Sequence, residues 1–154
     1  MDYIPAERRR NLSPVGRLDK DTEGLLVLTD DGALNHRLLA PGKHVPKTYY
    51  AKIDGTVTEQ EVTRFAKGLE IGEKKPTAPA ILEILHSAEQ SEIHVTITEG
   101  KFHQIKRMFH AIGMEVLYLK RLSMGTLQLD ETLAPGAWRE LTADEIQQLK
   151  EEQP

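Results

Sequence analysis

Strand-forming runs in this chain come in clusters interrupted by helices, a pattern that favours a mixed or mainly antiparallel α+β sheet over a doubly wound parallel one. Residues 25–29 and 47–53 have strand propensity, and Asp54-Gly55 supplies a turn after the second run. Residues 80–85 and 93–98 predict a hairpin with Ile93, Val95 and Ile97 on one face. Strands are also expected around 116–122 and 126–129, with residues 138–141 closing the sheet.

Four helices interrupt these runs. Asp31 caps a short one carrying Leu34, Leu38 and Leu39, which stops before Pro41-Gly42. Thr58 and Glu61 have capping-box spacing ahead of Val62, Phe65, Ala66 and Leu69. A third helix is expected over 102–112, stopped by Gly113. Thr142 and Glu145 repeat the capping-box spacing before a helix in which Ile146 and Leu149 are expected to face inward.

With 154 residues and 39% apolar side chains, the chain can bury the core of one domain. It contains no cysteine, which excludes disulfides, thiolate catalysis and cysteine-ligated zinc. No apolar run approaches the roughly 20 residues that span a bilayer, and Arg8, Arg9 and Arg10 precede no signal-peptide core. The expectation is a soluble, cytoplasmic protein without membrane contact. The net charge of −4 sits in the tail: residues from Glu140 onward hold five acids and one base, leaving nineteen of each before them. Basic groups at 8–10, Lys74-Lys75, Lys101, Lys106-Arg107 and Lys120-Arg121 are therefore available to meet phosphate.

Three segments carry chemistry. The first runs from Gly16 through Asp19, Asp21, Thr22 and Gly24 into the apolar run at 25–29, an aspartate loop bounded by residues that permit tight turns or close ligand approach. Asp19 could face a cleft; alternatively Asp21 or Thr22 caps a turn in a solvated loop. In the second, Lys47-Thr48-Tyr49-Tyr50-Ala51, adjacent tyrosines on a strand face opposite sides, so only one can join a given cleft, where a phenol can stack on an unpaired base. The third, Glu99-Gly100 through Phe109, is a glycine turn entering a basic helix. Phe102, Ile105 and Phe109 share a face there, while Lys106 and Arg107 diverge from it. His103 and His110 lie seven residues apart without an H-E-x-x-H motif, so no metal site is expected.

Taken in order, these segments closely resemble the catalytic domain of the bacterial small-subunit ribosomal-RNA pseudouridine synthases, the RsuA-like branch. The likeness covers nearly the full chain. It rests on Leu12-Ser13-Pro14-Val15-Gly16-Arg17-Leu18-Asp19 with Asp21-Thr22 and Gly24-Leu25, on Lys47-Thr48-Tyr49, and on Glu99-Gly100 with His103-Gln104-Ile105-Lys106-Arg107-Met108. The resemblance implies a pseudouridine synthase fold with a catalytic cleft, and Asp19 as the aspartate that attacks or deprotonates ribose while the glycosidic bond of a uridine breaks. It implies that Tyr49 stacks on the target base and takes part in proton removal, that Lys106 is the cation paired with the catalytic carboxylate, and that Ile105 lines the base pocket. Many related synthases carry arginine at the Lys106 position, so here a point charge replaces a two-pronged guanidinium. Arg17 would help fill the space left by the flipped nucleotide. Leu18, Thr22, Lys101, His103, Gln104 and Arg107 would contribute to substrate binding.

The implied partner is 16S ribosomal RNA or a small-subunit assembly intermediate, in which a monomeric enzyme isomerises a specific uridine by base flipping, with no cofactor. Residues 1–12 would form a connector from an N-terminal S4-type RNA-binding domain that is not evident in the sequence, and 13–154 the catalytic domain. Two other readings compete. One is a noncatalytic RNA-binding module. The other is a magnesium-dependent aspartyl phosphatase, because Asp19-x-Asp21-Thr22 resembles the haloacid-dehalogenase motif; Pro14, Gly16 and Arg17 stand where that family would need a buried apolar strand.

Overall fold

The computed structural model describes residues 12–15, 18, 20, 22–39, 45–100 and 103–151. Its centre is a six-stranded sheet. The long strands are β4 (Lys47–Asp54), β6 (Gln90–Ile97) and β7 (Glu115–Met124), and β5 (Ile81–His86) forms one edge. The order is β2-β7-β4-β6-β5, with β8 (Leu127–Gln128) also pairing with β7. All of these pairings are antiparallel except that of β2 (Glu23–Gly24) with β7. A separate two-stranded ribbon joins β1 (Ser13–Pro14) to β3 (Leu28–Thr29). The fold is thus α+β with a mixed, mainly antiparallel sheet.

Alternation along β4 decides what the sheet buries. Lys47, Tyr49, Ala51 and Ile53 are buried while their neighbours are half-buried or exposed. The same period on β6 buries Ser91, Ile93, Val95 and Ile97, as side chains two apart on a strand share a face. Helices α2 (Glu59–Lys67) and α3 (Gln104–Ala111) supply Phe65, Ile105, Met108 and Phe109 to the cluster containing Tyr49, Ala51, Ile53 and Val95. The rings of Phe65 and Phe109 lie 4.8 Å apart, joining the two helices.

A second apolar cluster forms where the ribbon meets the far end of β7. It gathers Val15, Val27, Leu34 and Leu38 with Met124, Leu127 and Leu149, drawing on α1 (Gly32–Leu39) and α4 (Ala143–Glu151). Asp31 caps α1 through Oδ1, which accepts the Leu34 N–H at 3.0 Å. Both capping boxes form in part or whole: the Glu61 carboxylate accepts the Thr58 N–H at 2.8 Å. Glu145 accepts the Thr142 N–H at 2.8 Å and donates its own N–H to the Thr142 hydroxyl at 3.1 Å.

Three expectations are corrected. Residues 25–29 are not one strand: Gly24 turns the chain with φ +108°, residues 25–27 carry no ladder, and only Leu28–Thr29 pairs. Residues 138–141 form no strand, and Trp138 is partly exposed. Of the two residues expected to face inward on α4, Leu149 is buried but Ile146 is exposed.

Helix α4 is held by charge as well as by the buried Leu149. Arg139 makes parallel bonds of 2.8 Å to both Glu145 oxygens and a third of 2.9 Å to Asp130. These bonds hold the Glu145 carboxyl down at about 2, the Arg139 contact being the largest cause. A depressed carboxylate stabilises the fold above its unfolded value of about 4.3 and loses that contribution as pH falls toward its folded one. Glu145→Gln should therefore melt roughly 2–4 °C below the parent at pH 7. The gap should close between about pH 5 and pH 2; a gap that persists at pH 2 in thermal scans would show that the effect is not electrostatic.

Candidate active site

The site is assembled on the middle of β4. Tyr49 stands opposite Val95 on β6 and Arg121 on β7, and Arg121 in turn stands opposite Gly24 on β2. Residues opposite one another across a ladder share a face, so Tyr49 and Arg121 are side by side on the face covered by α2 and α3. Tyr49 is buried and shares its cluster with Ile105 of α3.

Tyr50 points the other way. Its hydroxyl donates to Glu92, and that bond, with burial as a lesser cause, pushes the phenol up to about 12. Its ring meets His94 and Tyr118 edge-on, with centroids 6.2 and 6.0 Å away. Of the two tyrosines, only Tyr49 lies on the face that α3 covers, while the Tyr50 hydroxyl is engaged by Glu92 on the other.

The entry to α3 is backbone-specific. His103, the residue before the helix, adopts φ 48° and ψ 38°, the described non-glycine residue with positive φ. That conformation costs about 1 kcal/mol or more and turns the chain so that Gln104 and Ile105 enter the core. Gln104 donates from Nε2 to Glu99 Oε1 at 3.0 Å, and the same oxygen accepts the Ala78 N–H at 2.6 Å. Lys106 is half-buried on the first turn. Arg107 diverges as expected, its Nη1 bonding Glu73 at 3.1 Å and its Nη2 the Ile71 carbonyl. It ties α3 to the segment after α2.

Lys47, two residues before Tyr49 on the same face, is buried. Burial, and secondarily the charge of Arg121, lowers its ammonium below the ordinary lysine range, with Glu99 acting in the opposite sense. Arg121 itself is 2% exposed. Sequence reading grouped it with Lys120 as a surface cation; the strand period separates them, leaving Lys120 half-buried on the other face. The missed signal was the alternation itself: a basic pair within a strand cannot present both members to one side.

Of the aspartate loop, Leu18 and Thr22 are half-buried, and the Thr22 hydroxyl oxygen is buried without a hydrogen-bond partner among the described residues. Asp19, Arg17 and Lys101 lie outside the described residues. The loop's stems are placed. Val15 donates to the Val27 carbonyl at 2.7 Å, and Leu25 donates to the Arg121 carbonyl at 2.9 Å. The structure thus brings together Tyr49, Ile105 and the stem that leads from Asp19, while Arg107 is engaged to one side.

Among the described residues no group of three or more His, Asp or Glu could hold a metal ion. None of their helices is long and apolar enough to cross a membrane. The segment before Asp19, β1, is a two-residue exposed strand, unlike the buried strand a phosphatase aspartate requires.

A family model described as RNA pseudouridylate synthase matches residues 1–111. An RNA pseudouridine synthase of Bacillus subtilis is 50% identical over 97% of the chain and 63% of its own length. The ribosomal small subunit pseudouridine synthase A of Escherichia coli K12 is 43% identical over 88% of the chain and 58% of its own length. The chain therefore spans about three-fifths of these relatives. A crystal structure of a pseudouridylate synthase superposes with a TM-score of 0.92 at 42% identity, covering 96% of this chain and 64% of that one.

Proposed function

Because the chain belongs to the RNA pseudouridylate synthase family, we propose that it isomerises a uridine of 16S ribosomal RNA to pseudouridine. The substrate is the naked RNA or a small-subunit assembly intermediate, met in the cytoplasm by a monomer. The reading is carried by one observation: Tyr49, on the central strand, packs in one cluster with Ile105 at the mouth of α3, beside the stem of the segment that bears Asp19.

The chemistry follows from that grouping. Asp19 acts on the ribose as the bond between uracil N1 and the sugar breaks. The freed base turns on the Tyr49 ring and rejoins the same sugar through C5; the Tyr49 oxygen takes part in removing the C5 proton, and N1 gains one in its place. Both fragments must stay in a closed, dry pocket between these steps, which the apolar surroundings of Tyr49 and Ile105 support. Lys106 keeps the carboxylate ionised, since a neighbouring cation favours the charged form. Arg17 fills the gap in the stack. Leu18, Thr22, Lys101 and His103 contact the nucleotide or its flanks, while Gln104 and Arg107 support them from behind by fixing the start of α3 against Glu99, Glu73 and Ile71. No cofactor enters the reaction.

The test is to incubate the chain, with and without EDTA, with unmodified 16S transcript and with an assembly intermediate, then map pseudouridine by chemical labelling and primer extension. Product at one uridine, unaffected by EDTA, is expected. Binding without product would favour a noncatalytic RNA module; metal-dependent phosphate release would favour the phosphatase reading. Within the active chain, Tyr49→Phe keeps the ring and removes the hydroxyl. Turnover should fall by about 10²-fold or more, the range of lost proton-transfer catalysis, with KM within about threefold. Unchanged turnover would limit Tyr49 to stacking.

A further inference from the structure

Lys47 opens β4 on the same face as Tyr49 and is only 8% exposed. Taking an ammonium out of water is costly unless an anion meets it. Among the described residues none does: no hydrogen bond or ion pair engages its Nζ. Glu99 acts on it only through space, and the Glu99 Oε1 is already shared between Gln104 Nε2 at 3.0 Å and the Ala78 N–H at 2.6 Å. A second buried cation, Arg121, stands opposite Tyr49, fixed by its Nε donating to the Leu25 carbonyl at 2.8 Å.

Two further features meet beside Lys47. The surface of Gly100 is bare: a Cβ built there would find, among the described residues, only the Lys47 Nζ at 3.9 Å. The start of α3 is tied to the same place by the Gln104 to Glu99 bond, and its N-cap, His103, makes no side-chain cap. First-turn N–H groups and the helix dipole favour an anion there.

We propose that Lys47 Nζ and the first-turn N–H groups of α3 seat a phosphodiester of the RNA, one that flanks the uridine stacked on Tyr49. This rests on the functional reading given above. The freed base must turn during the reaction, so the nucleotide has to be held by its backbone and not by its base edge. Side chains two residues apart on a strand stand about 7 Å from one another, so one nucleotide can lay its base on Tyr49 and its phosphate on Lys47. The charged and titratable groups around the seat are Lys47, Arg121, Tyr49, Glu99 and, on the first turn of α3, Lys106. Their balance is positive.

Lys47→Met keeps the length of the side chain and removes the charge. Because that charge is buried without a partner, the variant should melt no lower than the parent. Its affinity for the unmodified 16S transcript should nevertheless fall about tenfold. The slope of log affinity against log salt should flatten by about 0.7, the share of one contact to a single strand. A second measurement uses an oligonucleotide carrying the mapped uridine, with a neutral methylphosphonate placed at one linkage at a time. One linkage beside the uridine should cost the parent about tenfold and Lys47→Met less than about twofold.

Equal salt slopes in the two proteins would overturn the inference, as would equal losses at that linkage. So would a loss confined to kcat with parental affinity and slope, which would assign the ammonium to the departing base. If the methionine variant fails to fold, the linkage scan on the parent decides: no flanking linkage costing more than about threefold overturns the seat. A parent that binds RNA but makes no pseudouridine ends the functional reading alone, and the salt slopes still judge the seat. A parent that binds no RNA ends both.

Discussion

Asp19→Asn should leave a folded protein that binds RNA and forms no pseudouridine. Asparagine matches aspartate in shape and keeps its acceptor oxygen, so packing around the loop stems at Val15 and Leu25 is preserved. It removes the one property the reaction needs, a charged oxygen able to attack the sugar or take its proton. Losing a group of that kind lowers turnover by on the order of 10⁴-fold or more. Affinity should change by less than about tenfold, because phosphate contacts dominate RNA binding. The measurement pairs pseudouridine mapping with filter binding at fixed salt. Retained product in the variant would remove Asp19 from the mechanism, and lost binding together with lost product would assign it to recognition.

Gly24→Ala should be the most disruptive single-methyl change among the described residues. The chain at Gly24 has φ +108°, and an added Cβ would sit 2.2 Å from the Arg121 carbonyl oxygen and 2.5 Å from its nitrogen. Both contacts are with backbone, so no side chain can swing away. The substitution must either break the parallel pairing of β2 with β7 or push the strands apart. Strain at a positive φ contributes about 1–3 kcal/mol, and the clash adds to it, so a loss of more than about 3 kcal/mol in urea unfolding is expected. Gly32 provides the control: its Cβ would meet nothing within 4 Å. Gly32→Ala at the start of α1 should stay within about 0.5 kcal/mol of the parent or gain slightly. Equal midpoints for the two variants would show that the β2–β7 junction is not fixed by close approach.

Much of this organisation was legible from residue order because local signals and tertiary context agree. Alternation on β4 and β6 placed Tyr49 and Tyr50 on opposite faces. Thr58 with Glu61 and Thr142 with Glu145 marked the helix starts that the structure shows. The failures have equally local causes. Residues 25–29 read as one apolar strand, but Gly24 turns the chain and the Leu25 amide is taken by Arg121. Around Trp138, Arg139 bonds Asp130 and Glu145 in place of a strand ladder, a contact pattern that no propensity scale contains. Arg121 was misplaced because charge alone suggested solvent. Its burial follows from standing opposite Tyr49 on a strand whose register only the fold reveals. The placement of Asp19 relative to Lys106 lies outside the described residues.

Strand β7 contributes Leu119 to one apolar cluster and Met124 to the other, and its pairing with β4 slips register between those two residues. The groups assigned to chemistry are thereby divided: the aromatic ring and the base-lining isoleucine ride on the larger cluster, the stems of the acidic segment on the smaller. Their mutual spacing is set by how two packed bodies seat against a shared, irregular spine. The smaller of those bodies, bounded on its far side by the C-terminal helix, is the one that holds the stems.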